Sequence, residues 1–269
     1  MNDPQFDSAR ARLERALRYR QEMGSIARRE FKEHPPIEWI RNERDAAILC
    51  IKAAKPVPLD IALVFSDWLH AVRTALDNAY YTLAIVETGQ DPPTNHGRRQ
   101  FPLVADPNKF GGNRLSGFCD EARSIIEDFQ PYKMRGGKTG SALWWLHELA
   151  RMDRHRSEHF FQWRIVDLEI TFRGPYFAGS GTVCSQQAAF LETGQDLELA
   201  RGLKSPFQSV DDHPGSHVDI DYRVELDIRD WYERCFSTYR WRFDHRLQSF
   251  ESEVAALISR FDEHCQTFH

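Results

Sequence analysis

The chain has 269 residues, 41% hydrophobic and 28% charged, with a formal net charge of -5. That length suits one large domain or two small ones, and the composition excludes wholesale disorder. The acidic balance argues against nucleic-acid binding through the overall field; Arg outnumbers Lys, for which GC-rich coding is the first explanation, and a local basic patch stays open.

Taken in chain order, residues 4 to 33 set Leu13, Ala16, Leu17 and Ile26 at helical spacing and predict a long polar helix, stopped by Pro35 and Pro36. The Ile-rich run after them predicts a β-hairpin over 37 to 54 with NERD as its turn. Residues 58 to 88 carry the strongest helical pattern, ended by Gly89. A loop rich in Pro, Gly and Asn follows, then a short helix near 117 to 129, the loop QPYKMRGGKTG, and a helix over 141 to 161. Short β-rich runs between 162 and 228 predict a small antiparallel sheet, and the tail from 230 to 266 is helical. The pentapeptide ETGQD occurs at 87 to 91 and at 192 to 196; turn chemistry explains it better than a repeat.

The sum is an α+β chain, a predominantly helical bundle with an N-terminal β-hairpin and a small antiparallel β insertion. The expected divisions are a helical core with the hairpin at 1 to 161, the insertion at 162 to 228, and a C-terminal helix at 229 to 269 packing back on the bundle. Five scattered cysteines (Cys50, Cys119, Cys184, Cys235 and Cys265) lack a C-x-x-C pair and read as reduced thiols. Asn2, Asp3 and Pro4 lead straight into charged residues, so no signal peptide is expected. No apolar stretch nears the ~18 residues of a membrane span, and the cytoplasm is the expected compartment.

Two stretches concentrate chemistry. On the helix at 58 to 88, Asp67, His70, Arg73 and Asp77 recur at steps of three and four, with Asn78 alongside. A charged strip among apolar residues needs partners, because an isolated buried charge costs several kcal/mol. The second stretch is HELARMDRHRSEH at 147 to 159, with His155 and His159 four apart. The nearest partners for the first strip are Asp153, Arg154, His155 and Arg156, so the two helices are expected to pack together with Arg73 and Asp77 close to His155. Other motifs fail on inspection. GGKTGS has Tyr132 where a phosphate loop needs Gly, and no strand precedes it. Trp144 and Trp145 read as core.

The segments SDWLHAVRTALDNAYYTLA, FPL, QPY and LWWLHELARMDRHR resemble an uncharacterised bacterial family, common in actinobacteria, that reads GDxLHNLRSALDH, QFPI, QPY and LWxLHxLxNxDKHR. The likeness covers about 60 to 160 of this chain. Through its long polar helices this family resembles the HEPN superfamily of helical bundles, in which an R-x4-6-H motif often makes a metal-independent ribonuclease. That resemblance puts Arg154 and His159 in the R-x4-H positions, with His155 as the polar residue after Arg. Arg73 keeps a second such arginine, but Asn78 stands where the family has His.

The implied function is a metal-independent endoribonuclease of defence or toxin type, without a cofactor, with RNA as substrate and a homodimer as assembly. Arg154 would hold phosphate oxygens, and His159, helped by His155, would move protons. Residues five apart on a helix point roughly 140° from one another, so a composite site is expected. His70, Arg73, Asp77, Asn78 and Asp153 would form the supporting polar core. One alternative is a non-catalytic scaffold or binding protein with a structural polar core. A second is a metal-dependent hydrolase using His155 and His159 with Asp77 or His70.

Overall fold

A computed structural model describes residues 6–94, 97, 100–155, 159–174, 177, 181–185, 189–204, 216–235 and 242–267, without the side chains of 114, 155 and 181–185. The helices are α1 (Asp7–Glu33), α2 (Leu59–Thr88), α3 (Asp120–Asp128), α4 (Ala142–His155), α5 (Arg229–Arg234) and α6 (Phe243–Gln266). The strands are β1 (Ile37–Asn42), β2 (Ala46–Lys52), β3 (Gln162–Arg173), β4 (Gly181–Ser185), β5 (Ala189–Leu191), β6 (Leu197–Leu203) and β7 (His217–Asp227). The chain forms two compact units, each assembled from separated segments. The first takes Met1–Ser25, Asp60–His159 and Asp230–His269; the second takes Ile26–Leu59 and Phe160–Arg229.

This arrangement corrects the expected predominantly helical, HEPN-like bundle. Seven strands among the described residues form a three-stranded and a four-stranded antiparallel sheet, so the architecture is mixed α and β. The hairpin strands fall in the second compact unit. β2 lies between β1 and β6, with Ile48 opposite Arg201 and Leu49 opposite Ala200. The cause is visible in AAILCI, apolar without alternation and buried at every residue from Ala46 to Ile51. A strand apolar on both faces takes a central position covered on each side.

In the second unit β3 is the spine. β7 pairs along its length, while β4 and β5 share its other edge in succession. The register slips between Val166 and Glu169, where Asp167 adopts a positive φ of 53°, a bulge that adds twist. Arg164, buried in β3, pairs with Glu225 and with Asp227 at 2.9 Å, so the charge taken out of water is met by two carboxylates.

In the first unit, α2 begins with Asp60 in its first turn and ends at Gly89, whose φ of 62° lets its N–H reach the Ile85 carbonyl at 2.8 Å. Its buried face joins α5 and α6 in an aromatic cluster: Trp68 stacks on Phe250 at 5.7 Å, and Phe250 meets Trp231 at 5.4 Å. Trp68 donates its indole N–H to Glu251 at 2.9 Å, and Glu251 in turn takes Arg20 of α1 at 3.1 Å. The buried stripe of α1 is Ala9, Ala16 and Met23, while the expected Leu17 is exposed. Ser141 caps α4 by accepting from the Trp144 N–H at 3.1 Å. No helix among the described residues is long and apolar enough to cross a membrane.

Candidate functional site

Within the first unit, α2 and the loop after it build a polar clamp. Arg73 is 6% exposed and binds Asp77 in a bidentate pair, Nε to Oδ2 at 3.1 Å and Nη2 to Oδ1 at 2.8 Å. The same two side chains grip the backbone of Phe101, Arg73 donating to its carbonyl at 3.2 Å and Asp77 accepting its N–H at 3.0 Å. Gln130 continues the clamp, donating to the Pro102 carbonyl at 2.9 Å and accepting the Val104 N–H at 3.0 Å. The FPL loop is thus held by the Arg and Asp of LHAVRTALDN on one side and by the Gln of QPY on the other. Burial pushes the Asp77 carboxyl above the usual carboxylate range, and Arg73, the Phe101 N–H and the more distant Arg154 only partly offset it. Arg73 Nη1 is buried without a hydrogen-bond partner.

On α4, His147, Arg151 and Arg154 follow at i, i+4 and i+7 and therefore share one face. Arg151 is held by Glu148 at 2.9 Å, whereas Arg154 is exposed. His147 is half-buried, and burial is the main reason its pKa falls below the ordinary histidine value. The charges of Arg73, Arg154 and Arg151 add to that fall, while Glu148 opposes it. His147 thus favours its neutral form more than an ordinary histidine does. α2 and α4 meet directly as well, through the Ser66 hydroxyl and the Asp153 carboxylate.

The residues singled out from the sequence scatter around this centre. Asp67 and His70 are exposed, so the expected strip on α2 splits into an outer pair and an inner pair of buried Arg73 and half-buried Asp77. Asn78 is half-buried and donates to Ser8 at 3.4 Å. His155 closes α4, its side chain outside the described residues, as is Arg156. His159 lies beyond the described end of α4 and just before β3, so it does not share a helical face with His155. It is 8% exposed, edge-on to Phe65 at 5.2 Å, with Nε2 at 3.1 Å from the Leu149 carbonyl. A carbonyl only accepts, so Nε2 carries the proton and the imidazole is held in the core. Burial pushes its pKa down, partly opposed by the Leu149 carbonyl and Asp153.

Among the described residues, the groups spaced to hold a metal are Glu87, Cys119 and His264, and Glu30, Glu33 and His34. Neither includes His70, Asp77 or His159. The residue missed from the sequence is His147. Its signal was present, since LHELARMDR places it two helical turns before Arg154, but the R-x4-H spacing drew attention to His159 instead. No family model, curated protein or solved structure matches the chain. The site offers an imidazole of lowered pKa, an exposed guanidinium and a buried guanidinium within electrostatic reach of one another, groups suited to a phosphate and a mobile proton.

Proposed function

We propose that this protein binds RNA phosphodiesters at the α2–α4 site and cleaves them without a metal, as an endoribonuclease. The supporting observation is the half-buried His147 on the same α4 face as Arg151 and Arg154, its pKa lowered by burial and by the charges of Arg73, Arg154 and Arg151. RNA carries its own nucleophile, the 2′-hydroxyl, so the protein need only move protons and stabilise the crowded phosphorane. The His147 imidazole accepts the 2′-hydroxyl proton as that oxygen bonds to phosphorus, and the departing 5′-oxygen takes a proton from solvent. Arg154 holds the non-bridging oxygens. The proton-transfer role moves from His159 to His147 in this reading, because His159 is buried with Nε2 committed to Leu149. A homodimer, implied by the resemblance to the superfamily, would pair two such sites.

The test incubates purified protein with single-stranded and structured RNA in EDTA, beside the Arg154→Ala, His147→Ala and His159→Ala variants. Cleavage lost in the first two and retained by whatever fraction of the third remains folded supports the mechanism. No cleavage by the intact protein sinks it, as does undiminished cleavage by His147→Ala. A non-catalytic scaffold is the second reading, favoured by one observation: Arg73 and Asp77 spend four of their hydrogen bonds on each other and on the Phe101 backbone.

A further inference from the structure

Three segments far apart in sequence bring a carboxylate, a thiol and an imidazole to one point in the first unit. Glu87 stands one residue from the end of α2, Cys119 caps the N-terminus of α3, and His264 lies in the last turn of α6. The Glu87 side chain is 2% exposed and that of His264 8%. His264 donates from Nε2 to Glu87 Oε1 at 2.6 Å. The Cys119 thiol reaches the same Oε1 at 3.5 Å and lies 3.7 Å from the same Nε2. The other carboxylate oxygen, Oε2, is fixed by the Cys119 backbone N–H at 2.7 Å.

Two chemistries use such a trio, and the nitrogen decides between them. In a nucleophilic relay the thiol and the carboxylate bind opposite nitrogens of the imidazole, so that the ring passes a proton from one to the other. Here both converge on Nε2, which serves no relay. Convergence of three donor atoms on a common point is instead what a metal ion requires. We propose that Glu87, Cys119 and His264 form a zinc site, with the fourth position left to water.

The spacing fits tetrahedral zinc. Bonds of about 2.3 Å to sulfur and about 2.0 Å to nitrogen and oxygen place sulfur ~3.5 Å from each of the other donors. The observed 3.5 and 3.7 Å agree with that. Nitrogen and oxygen, now joined by a hydrogen bond, separate by about 0.7 Å as the ion replaces the shared proton. The Cys119 thiol and His264 Nε2 each give up a proton to solvent as the ion binds, and the ring keeps its proton on Nδ1; no electrons are transferred. The Cys119 N–H on Oε2 keeps Glu87 aimed with one oxygen free, as outer hydrogen bonds do at metal centres. Cys119 Sγ also accepts the Ala122 N–H at 3.4 Å, which fixes the position of the sulfur. Thiolate, imidazole and carboxylate together suit zinc over the harder magnesium or calcium.

The site does not depend on the ribonuclease reading and is tested without RNA. Full-length protein stripped with a chelator is titrated with Co2+, which reports tetrahedral thiolate coordination by its visible d–d bands and its near-ultraviolet charge-transfer band. The expected result is saturation at a single ion, displacement by Zn2+, and loss of the charge-transfer band in Cys119→Ser. His34→Gln, which alters the other ligand-like group, should leave the band intact. Zn2+ should also protect Cys119 selectively from alkylation, read by peptide mapping, which settles the matter if Cys119→Ser fails to fold. A folded, stripped protein without the charge-transfer band, a band surviving in Cys119→Ser, or protection of another cysteine instead overturns the proposal.

Discussion

The two ends of the HELARMDRHRSEH stretch place a histidine in opposite settings. His147 sits on an arginine-lined face of α4, half-open to solvent, with three guanidinium groups acting on it. His159 sits past the described end of α4, locked between Phe65 and the Leu149 carbonyl. Burial lowers the pKa of both, but only at His147 do neighbouring positive charges deepen the fall. A lowered histidine pKa therefore marks no function by itself. What separates the two is which groups surround the ring and whether anything outside the protein can reach it.

The largest expected effect comes from breaking the clamp beside His147. Asp77→Ala leaves Arg73 buried without its carboxylate and frees the Phe101 backbone, and should cost about 3–5 kcal/mol in urea unfolding. A loss below about 1 kcal/mol would mean that the pair contributes little to stability. His159→Ala removes a buried ring and its hydrogen bond and should cost about 2–3 kcal/mol. His147→Ala should change stability by less than ~1 kcal/mol while abolishing cleavage. Equal destabilisation by the two histidine variants would erase the contrast drawn here.

The pH dependence sharpens the comparison further, with one complication. Burial depresses the pKa of folded His159, so as pH falls through about 6.5 the unfolded chain binds a proton that the folded chain refuses. Stability from this group is complete above that pH and is lost below it. Glu253 runs the other way. Its carboxyl, buried against the Leu143 N–H, has its pKa pushed up to about 7 from 4.5, so the folded form keeps a proton that the unfolded form releases. Stability from Glu253 is therefore lost as pH rises across that interval. Between about 4.5 and 6.5 the two slopes oppose each other. Glu253→Gln should raise stability at pH 8 by about 2 kcal/mol and expose the acid-side loss due to His159. Adding His159→Leu to that variant should then flatten the acid limb. A limb left equally steep would assign the loss to other groups.

Local periodicity made several elements legible. The helix at 58 to 88 could be read from its spacing and from Gly89, because those signals act within one turn of the chain. The run AAILCI was legible as a strand, but its partner β6 begins about 150 residues later, and no local signal links Leu49 to Ala200. The candidate site divides in the same way. Arg73, Asp77 and Arg154 stand out as charges on helix faces, whereas the Phe101 backbone and Gln130 Oε1 enter through tertiary contacts. His159 was misplaced onto a helix because the helical pattern of the sequence runs on to Phe161, whereas the described helix ends at His155 and His159 is not helical. The Glu87–Cys119–His264 cluster was invisible, since each member is ordinary in its own neighbourhood.

The β2–β6 ladder also carries a consequence in time. As the chain is synthesised, AAILCI emerges with β1 able to pair along one side only, and its other edge waits until residues 197 to 203 have been made. For that interval a flat, apolar strand presents unpaired N–H and C=O groups to any neighbouring nascent chain. Closing so long a loop also places this sheet among the slow steps of folding. Expression at high temperature or from crowded polysomes should lose this chain to inclusion bodies through Ala46–Lys52 first, and a charged substitution at Ile48 would not rescue it, because the same side chain is fully buried once the sheet closes.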